Sequence, residues 1–171
     1  MKNIVLIGFM GAGKSVVAKK LATVLKRDAV SIDDLIVAQE KRPIADIFRD
    51  SGEGYFRKAE KGVVKKVSEK DNLIIDCGGG VVLAKENVDH LRKNGIVFYL
   101  SASAAVIYER VKNEQHRPLL NVTNPQAKIS ELLGQRQPYY EKAAHFIVDT
   151  SRRTPEEVVS EILRNLPDDR T

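Results

Sequence analysis

The chain has 171 residues, with 28 Lys or Arg against 23 Asp or Glu, giving a formal net charge of +5. At 43% apolar residues a chain of this length buries a core without crosslinks, and 6% aromatics with no Trp leave little stock for stacking single-stranded nucleic acid. The one cysteine, Cys77, excludes an internal disulfide, and the scattered His90, His116 and His145 exclude a zinc-type ligand spacing.

The predicted elements alternate in type along the chain. Residues 4–7 are an apolar run that predicts a strand; cut short by glycine, the run is too brief for a signal-peptide core. No run approaches the roughly 18 apolar residues of a membrane span, so a soluble, cytoplasmic protein is expected. Directly after the strand, Gly8-Phe9-Met10-Gly11-Ala12-Gly13-Lys14-Ser15 satisfies G-x-x-x-x-G-K-[ST]. Glycines let the backbone wrap an anion with its N–H groups inward, and the helix that follows aims its positive end at the same point. Lys14 then reaches the β- and γ-phosphates of a nucleotide, while Ser15 offers a hard oxygen to Mg²⁺. The helix beginning here carries Val17, Leu21, Val24 and Leu25 on one face.

Residues 29–32 predict the second strand. In the helical stretch beyond it, Glu60 lies three positions after Arg57, on the same face, and is placed to hold that guanidinium. Residues 73–76 predict a third strand ending in Asp76, the arrangement in which an acid faces Mg²⁺ across a phosphate loop. Cys77 reads as a small apolar filler, and Gly78, Gly79 and Gly80 let a second ligand approach the backbone closely. Residues 96–100 predict the fourth strand. The run KNEQHRPLLNVTNP over 112–125 has two prolines and neither periodicity, so it predicts a lid, a binding loop or disorder, with Arg117 at its middle. Arg136 follows in GQRQPYY, where Tyr139 and Tyr140 are expected near the site without a chemical role. Residues 146–148 predict the fifth strand. In the last helix Thr154 and Glu157 form a capping box, Pro155 takes the first helical position, and Val159, Ile162, Leu163 and Leu166 make the apolar stripe.

Continuously apolar strands separated by helices imply a doubly wound α/β domain on a parallel sheet. No N/T-K-x-D base-reading motif occurs, which argues against a GTPase. The chain offers instead arginines at 57, 117, 136, 152 and 153, whose planar forks suit carboxylates and phosphates.

The segments GFMGAGKS, SIDD followed by IADIF, GYFRKAE, DCGGG, HRPLL, RQPYY and DTSRRTP occur in the order and approximate spacing of shikimate kinases, which the chain resembles from Met1 to about Leu166. The resemblance implies a P-loop fold like that of nucleoside monophosphate kinases, with five parallel strands in the order 2-3-1-4-5 and flanking helices. It places one kinase domain over 1–171, with a helical substrate-binding region at about 33–61 and a lid at about 112–124. It also implies transfer of the ATP γ-phosphoryl group to the 3-hydroxyl of shikimate with Mg²⁺, a step toward chorismate and the aromatic amino acids. The partners implied are small molecules, with no nucleic acid or membrane, and the expected state is a monomer.

Residue by residue, the resemblance makes Gly11, Ala12, Gly13, Lys14, Ser15 and Val16 the ATP-holding loop, with Ser15 on Mg²⁺ and Lys14 and Arg117 clamping the transferring group. Asp33 contacts the shikimate hydroxyls and accepts or orients the attacking proton. Arg57 and Arg136 bind its carboxylate, with Glu60 beside Arg57, and Gly78, Gly79 and Gly80 contact the substrate. Arg110, Arg153 and Pro155 flank the adenine. One feature departs from the family: its D-x-D at the end of the second strand aligns with Ser31 and Asp33, so the magnesium-side acid is missing. Asp76 stands where the family carries a small residue, and the expectation is that it supplies this carboxylate, with Asp34 a competing candidate. Rival readings are a related kinase of gluconate or a nucleoside monophosphate, and a nucleic-acid-binding module that only binds ATP.

Overall fold

A largely apolar run suits a strand covered on both faces, and the three central strands of the sheet meet that condition, whereas the two edge strands are partly exposed. The computed structural model describes residues 1–114 and 121–167. Its strands are β1 (Asn3–Ile7), β2 (Ala29–Ser31), β3 (Ile74–Asp76), β4 (Gly95–Ser101) and β5 (Phe146–Asp149), in the order β2-β3-β1-β4-β5. Every pairing is parallel. The expected 2-3-1-4-5 sheet is therefore present.

Seven helices lie among the described residues: α1 (Lys14–Leu25), α2 (Ile32–Glu40), α3 (Ile44–Ser68), α4 (Lys85–Lys93), α5 (Ala104–Val111), α6 (Pro125–Ala143) and α7 (Pro155–Arg164). Along β1 the side chains alternate between two cores: Val5 and Ile7 join residues of α2 to α6, whereas Ile4 and Leu6 join α1 and α7. Strand β1 is flanked by β3 and β4, so the strand order reverses beside it, and the loop leaving its C-terminal end occupies the usual ligand-binding crevice of an open α/β sheet.

Three local expectations are corrected. Strand β2 stops at Ser31 rather than Ile32, because the Ser31 hydroxyl accepts the Asp34 N–H at 3.2 Å and caps α2. Val24 is not covered with Val17 and Leu21; it is exposed beside the α1–α7 groove, whose walls include Val159 and Leu163. Leu166 packs against its core from beyond the end of α7, and Val158 takes a buried place in the stripe. The capping box of Thr154 and Glu157 is formed as expected. Arg117 and His116, with the middle of the expected lid, lie outside the described residues. No helix of the described residues is long and apolar enough to cross a membrane.

Candidate active site

Between Ile7 and Lys14 the chain must turn from β1 into α1 around a space large enough for phosphate. Gly11 and Gly13 make this possible with φ values of 73° and 92°, a region that side chains disfavour. A Cβ at Gly11 would also meet Val111 Cγ1 at 2.7 Å. Lys14 is buried, and its ammonium donates to the carbonyls of Gly8 at 2.8 Å and Phe9 at 2.9 Å. The Ser15 hydroxyl donates to Asp76 Oδ2 at 2.6 Å, joining the loop to the end of β3. Ser31 and Asp76 face each other in the β2–β3 register. Burial pushes the Asp76 carboxyl up, opposed by Lys14 and by the Ser15 hydrogen bond.

Opposite this loop, the three glycines of the 78–80 turn each have one polar side chain against the α-carbon. A Cβ on Gly78 would stand 2.7 Å from Asp33 Oδ1, one on Gly79 would lie 3.5 Å from Arg136 Nη1, and one on Gly80 would overlap the Arg57 guanidinium. None of the three has a positive φ, so the triplet here serves close approach rather than an unusual backbone conformation. The turn thus gathers side chains from α2, α3 and α6, whose sequence positions span about a hundred residues.

Glu60 is fully buried and accepts from Arg57 Nη1 at 2.9 Å, while exposed Glu53 takes a longer contact at 3.4 Å. The Arg57 guanidinium also lies over the Phe56 ring, 5.2 Å from its centroid, and that of Arg136 over Phe9 at 5.7 Å. Asp33 Oδ1 and Glu60 Oε2 are buried oxygens with no hydrogen-bond partner among the described residues. Burial raises both carboxyls, against the lowering pull of Lys14 on Asp33 and of Arg57 on Glu60. Asp34, in the same first turn of α2, is exposed yet lines the cleft.

At the third side, Arg110 donates to the carbonyl of Gly11 at 3.0 Å and to Thr150 at its hydroxyl (3.1 Å) and carbonyl (2.7 Å). It ties the phosphate loop to the segment after β5. Arg153 pairs with Glu161 of α7, and Pro155 opens that helix. A cleft of about 700 Å³ runs past Gly11, Gly13, Lys14, Ser15, Val16, Asp33, Asp76, Gly78, Gly79 and Arg110. Arg57, Arg136, Arg153 and Pro155 do not line that cleft; the first two sit behind the glycine turn. Sequence reasoning gave Tyr140 no role, yet its buried hydroxyl donates to the Gly79 carbonyl at 2.5 Å.

The sequence model of the family described as "Shikimate kinase" matches residues 10–167 of the chain. The chain belongs to the shikimate kinase family. It is 48% identical over 164 residues to the shikimate kinase of Thermodesulfovibrio yellowstonii, covering 96% of this chain and 94% of that protein. The shikimate kinase of Caldanaerobacter subterraneus is 45% identical, with 96% and 95% covered. Among solved structures, the shikimate kinase from Acinetobacter baumannii in complex with shikimate superposes with a TM-score of 0.92 at 34% identity, covering 96% of this chain and 92% of that one. As a shikimate kinase the chain is a phosphotransferase that uses ATP as its phosphoryl donor.

Proposed function

We propose that this chain transfers the γ-phosphoryl group of ATP to the 3-hydroxyl of shikimate, giving shikimate 3-phosphate and ADP. The observation that carries the acceptor is the glycine turn with Asp33, Arg136 and Arg57 packed one to each residue. Two guanidiniums at that turn suit a carboxylate, and an acid beside them suits neighbouring hydroxyls. The relative solved with shikimate bound supports the same ligand class. Asp33 has a buried oxygen without a partner, which is free to accept the proton of an attacking hydroxyl. Glu60 holds Arg57, and Lys14 and Arg117 neutralise the transferring group, whose reaction depends on positioning and charge more than on covalent chemistry.

Ser15 and Asp76 fit a magnesium ion. Their oxygens lie 2.6 Å apart at the phosphate loop, and Mg²⁺ commonly takes one or two protein oxygens and fills its remaining places with water and substrate phosphates. When bound, the ion neutralises charge building on the β- and γ-phosphate oxygens. On this reading the carboxylate comes from β3, and Ser31 on β2 is occupied with capping α2. Asp34 is exposed, and its carboxylate has no hydrogen bond or ion pair among the described residues. We further propose that the enzyme works as a monomer in the cytoplasm and that Arg110, Arg153 and Pro155 flank the adenine.

An ADP-release assay offering shikimate, gluconate and AMP with Mg·ATP separates the candidate acceptors. Turnover is expected with shikimate alone. No shikimate-dependent ADP release would overturn the assignment.

A further inference from the structure

We infer that Tyr140 is a positioning residue for the acceptor, acting through the Gly79 peptide. This inference rests on the proposed shikimate site. A turn made of three glycines has no side chains to hold its backbone, so something outside it must set the orientation of its peptide groups. Here the Tyr140 hydroxyl, fully buried on α6, donates to the Gly79 carbonyl at 2.5 Å. The ring is stacked on that of Tyr99 of β4, with centroids 4.9 Å apart, so the phenol is fixed from behind.

A trans peptide points its carbonyl and the next N–H in opposite directions. Fixing the Gly79 carbonyl on Tyr140 therefore directs the Gly80 N–H away from α6. Among the described residues no backbone carbonyl accepts from the Gly79 or Gly80 N–H, whereas the flanking turn is closed by Val81 N–H to Gly78 and Leu83 N–H to Gly80. The two free donors sit beside the Arg136 and Arg57 guanidiniums, where an acceptor's oxygen would be received.

Arg136 and Tyr140 are one turn apart on the same helix, so α6 sets both a carboxylate-binding fork and the backbone donors next to it. Burial pushes the Tyr140 phenol well up, even with Arg136 beside it, so it remains protonated and a donor throughout the working pH range. With its proton directed at the Gly79 carbonyl, the phenol is a positioning group. It sets how well the acceptor is held.

The test is Tyr140→Phe, which keeps the ring stack and removes only the hydroxyl, with Tyr99→Phe as a control in the same stacked pair. Parent and variants are compared by KM for shikimate and for ATP, by kcat, by shikimate affinity without nucleotide, and by melting temperature. Loss of one buried hydrogen bond predicts a rise of about five- to tenfold in the shikimate KM and Kd for Tyr140→Phe. Its ATP KM and kcat should stay within about twofold of the parent, as should all four constants of Tyr99→Phe. An unchanged shikimate KM in Tyr140→Phe overturns the inference. A parallel rise of both KM values with a fallen melting temperature also overturns it, since that pattern marks general loosening. Absence of shikimate turnover in the parent overturns the acceptor assignment itself.

Discussion

The two walls of the cleft are built in opposite ways. The nucleotide wall is a single stretch, Gly8 to Ser15, whose shape comes from backbone: left-handed glycines, loop carbonyls holding Lys14, and the start of α1. The proposed acceptor wall is the glycine turn, with Asp33 of α2 in the cleft and Arg57 of α3 and Arg136 of α6 packed behind it. A backbone site recognises what many ligands share, the phosphate chain. A side-chain site separates one acceptor from another. Substitutions on the two walls should therefore fail differently, one in the handling of Mg·ATP and the other in shikimate affinity, with Asp33 standing between them.

The largest effect is expected at Asp33, which faces both walls. Asp33→Asn should lower kcat by roughly 10²- to 10⁴-fold, the usual contribution of a proton acceptor. The same change should stabilise the fold at neutral pH, because it removes a negative charge that burial disfavours. Burial raises the Asp33 pKa above its unfolded value of 3.8, so the folded state binds the proton more tightly. Its contribution to stability is then fully present below about pH 4 and is lost as pH rises through the folded value. Melting temperatures of parent and variant should coincide near pH 4 and diverge toward pH 7, with the variant higher by about 2–4 °C for each kcal/mol of relief. The acidic limb of the parent's kcat/KM profile should likewise sit above the ordinary carboxylate range. A variant that stays active, or a limb at the ordinary position, breaks the assignment of Asp33 as the bridge.

On the nucleotide wall, Asp76→Ser should raise the Mg²⁺ concentration needed for half-maximal rate and slow turnover by roughly 10- to 100-fold, the usual range for residues that orient a metal site. Ser31→Ala should cost little beyond a helix cap, about 1 kcal/mol of stability. Equal and small effects on Mg²⁺ dependence from both changes would remove Asp76 from the metal site. On the acceptor wall the expected effect is smaller. Gly80→Ala forces Arg57 aside and should raise the shikimate KM by about tenfold with the ATP KM unchanged, in line with weakening one charged hydrogen bond. Gly79→Ala adds a methyl at 3.5 Å from Arg136, an ordinary contact, and should do less. If the Gly79 variant is the worse of the two, packing of Arg57 is not what limits that wall.

The backbone-built wall was the more legible one in the sequence. The phosphate loop, the five strands and the capping box of α7 follow from local rules, and the sheet order came with the family resemblance. The pairing of Arg57 with Glu60 was also readable, because both residues lie on one helix. What could not be read depends on distance across the fold. Glycines at 78–80 signalled close approach, yet nothing in sequence says which side chain approaches which glycine. Tyr140 was expected near the site, but that its hydroxyl meets the Gly79 carbonyl is a contact across the fold that the sequence does not announce. The ion pair of Arg153 with Glu161, eight residues ahead on α7, is another contact that the sequence does not announce. The edge of β2 moved by one residue because a serine serves equally as the last strand position and as a helix cap.

The register of Ser31 against Asp76 has a consequence for how relatives of this chain are found. Neighbouring strands run roughly 4.8 Å apart, so on the proposed magnesium site an acid exchanged from one strand end to the next moves less than the length of a lysine side chain while shifting 45 positions along the chain. A search keyed to the D-x-D pattern would pass over such a protein. A search keyed to where carboxylates stand around the phosphate loop would keep it, and would treat the two strand ends as interchangeable addresses for one oxygen.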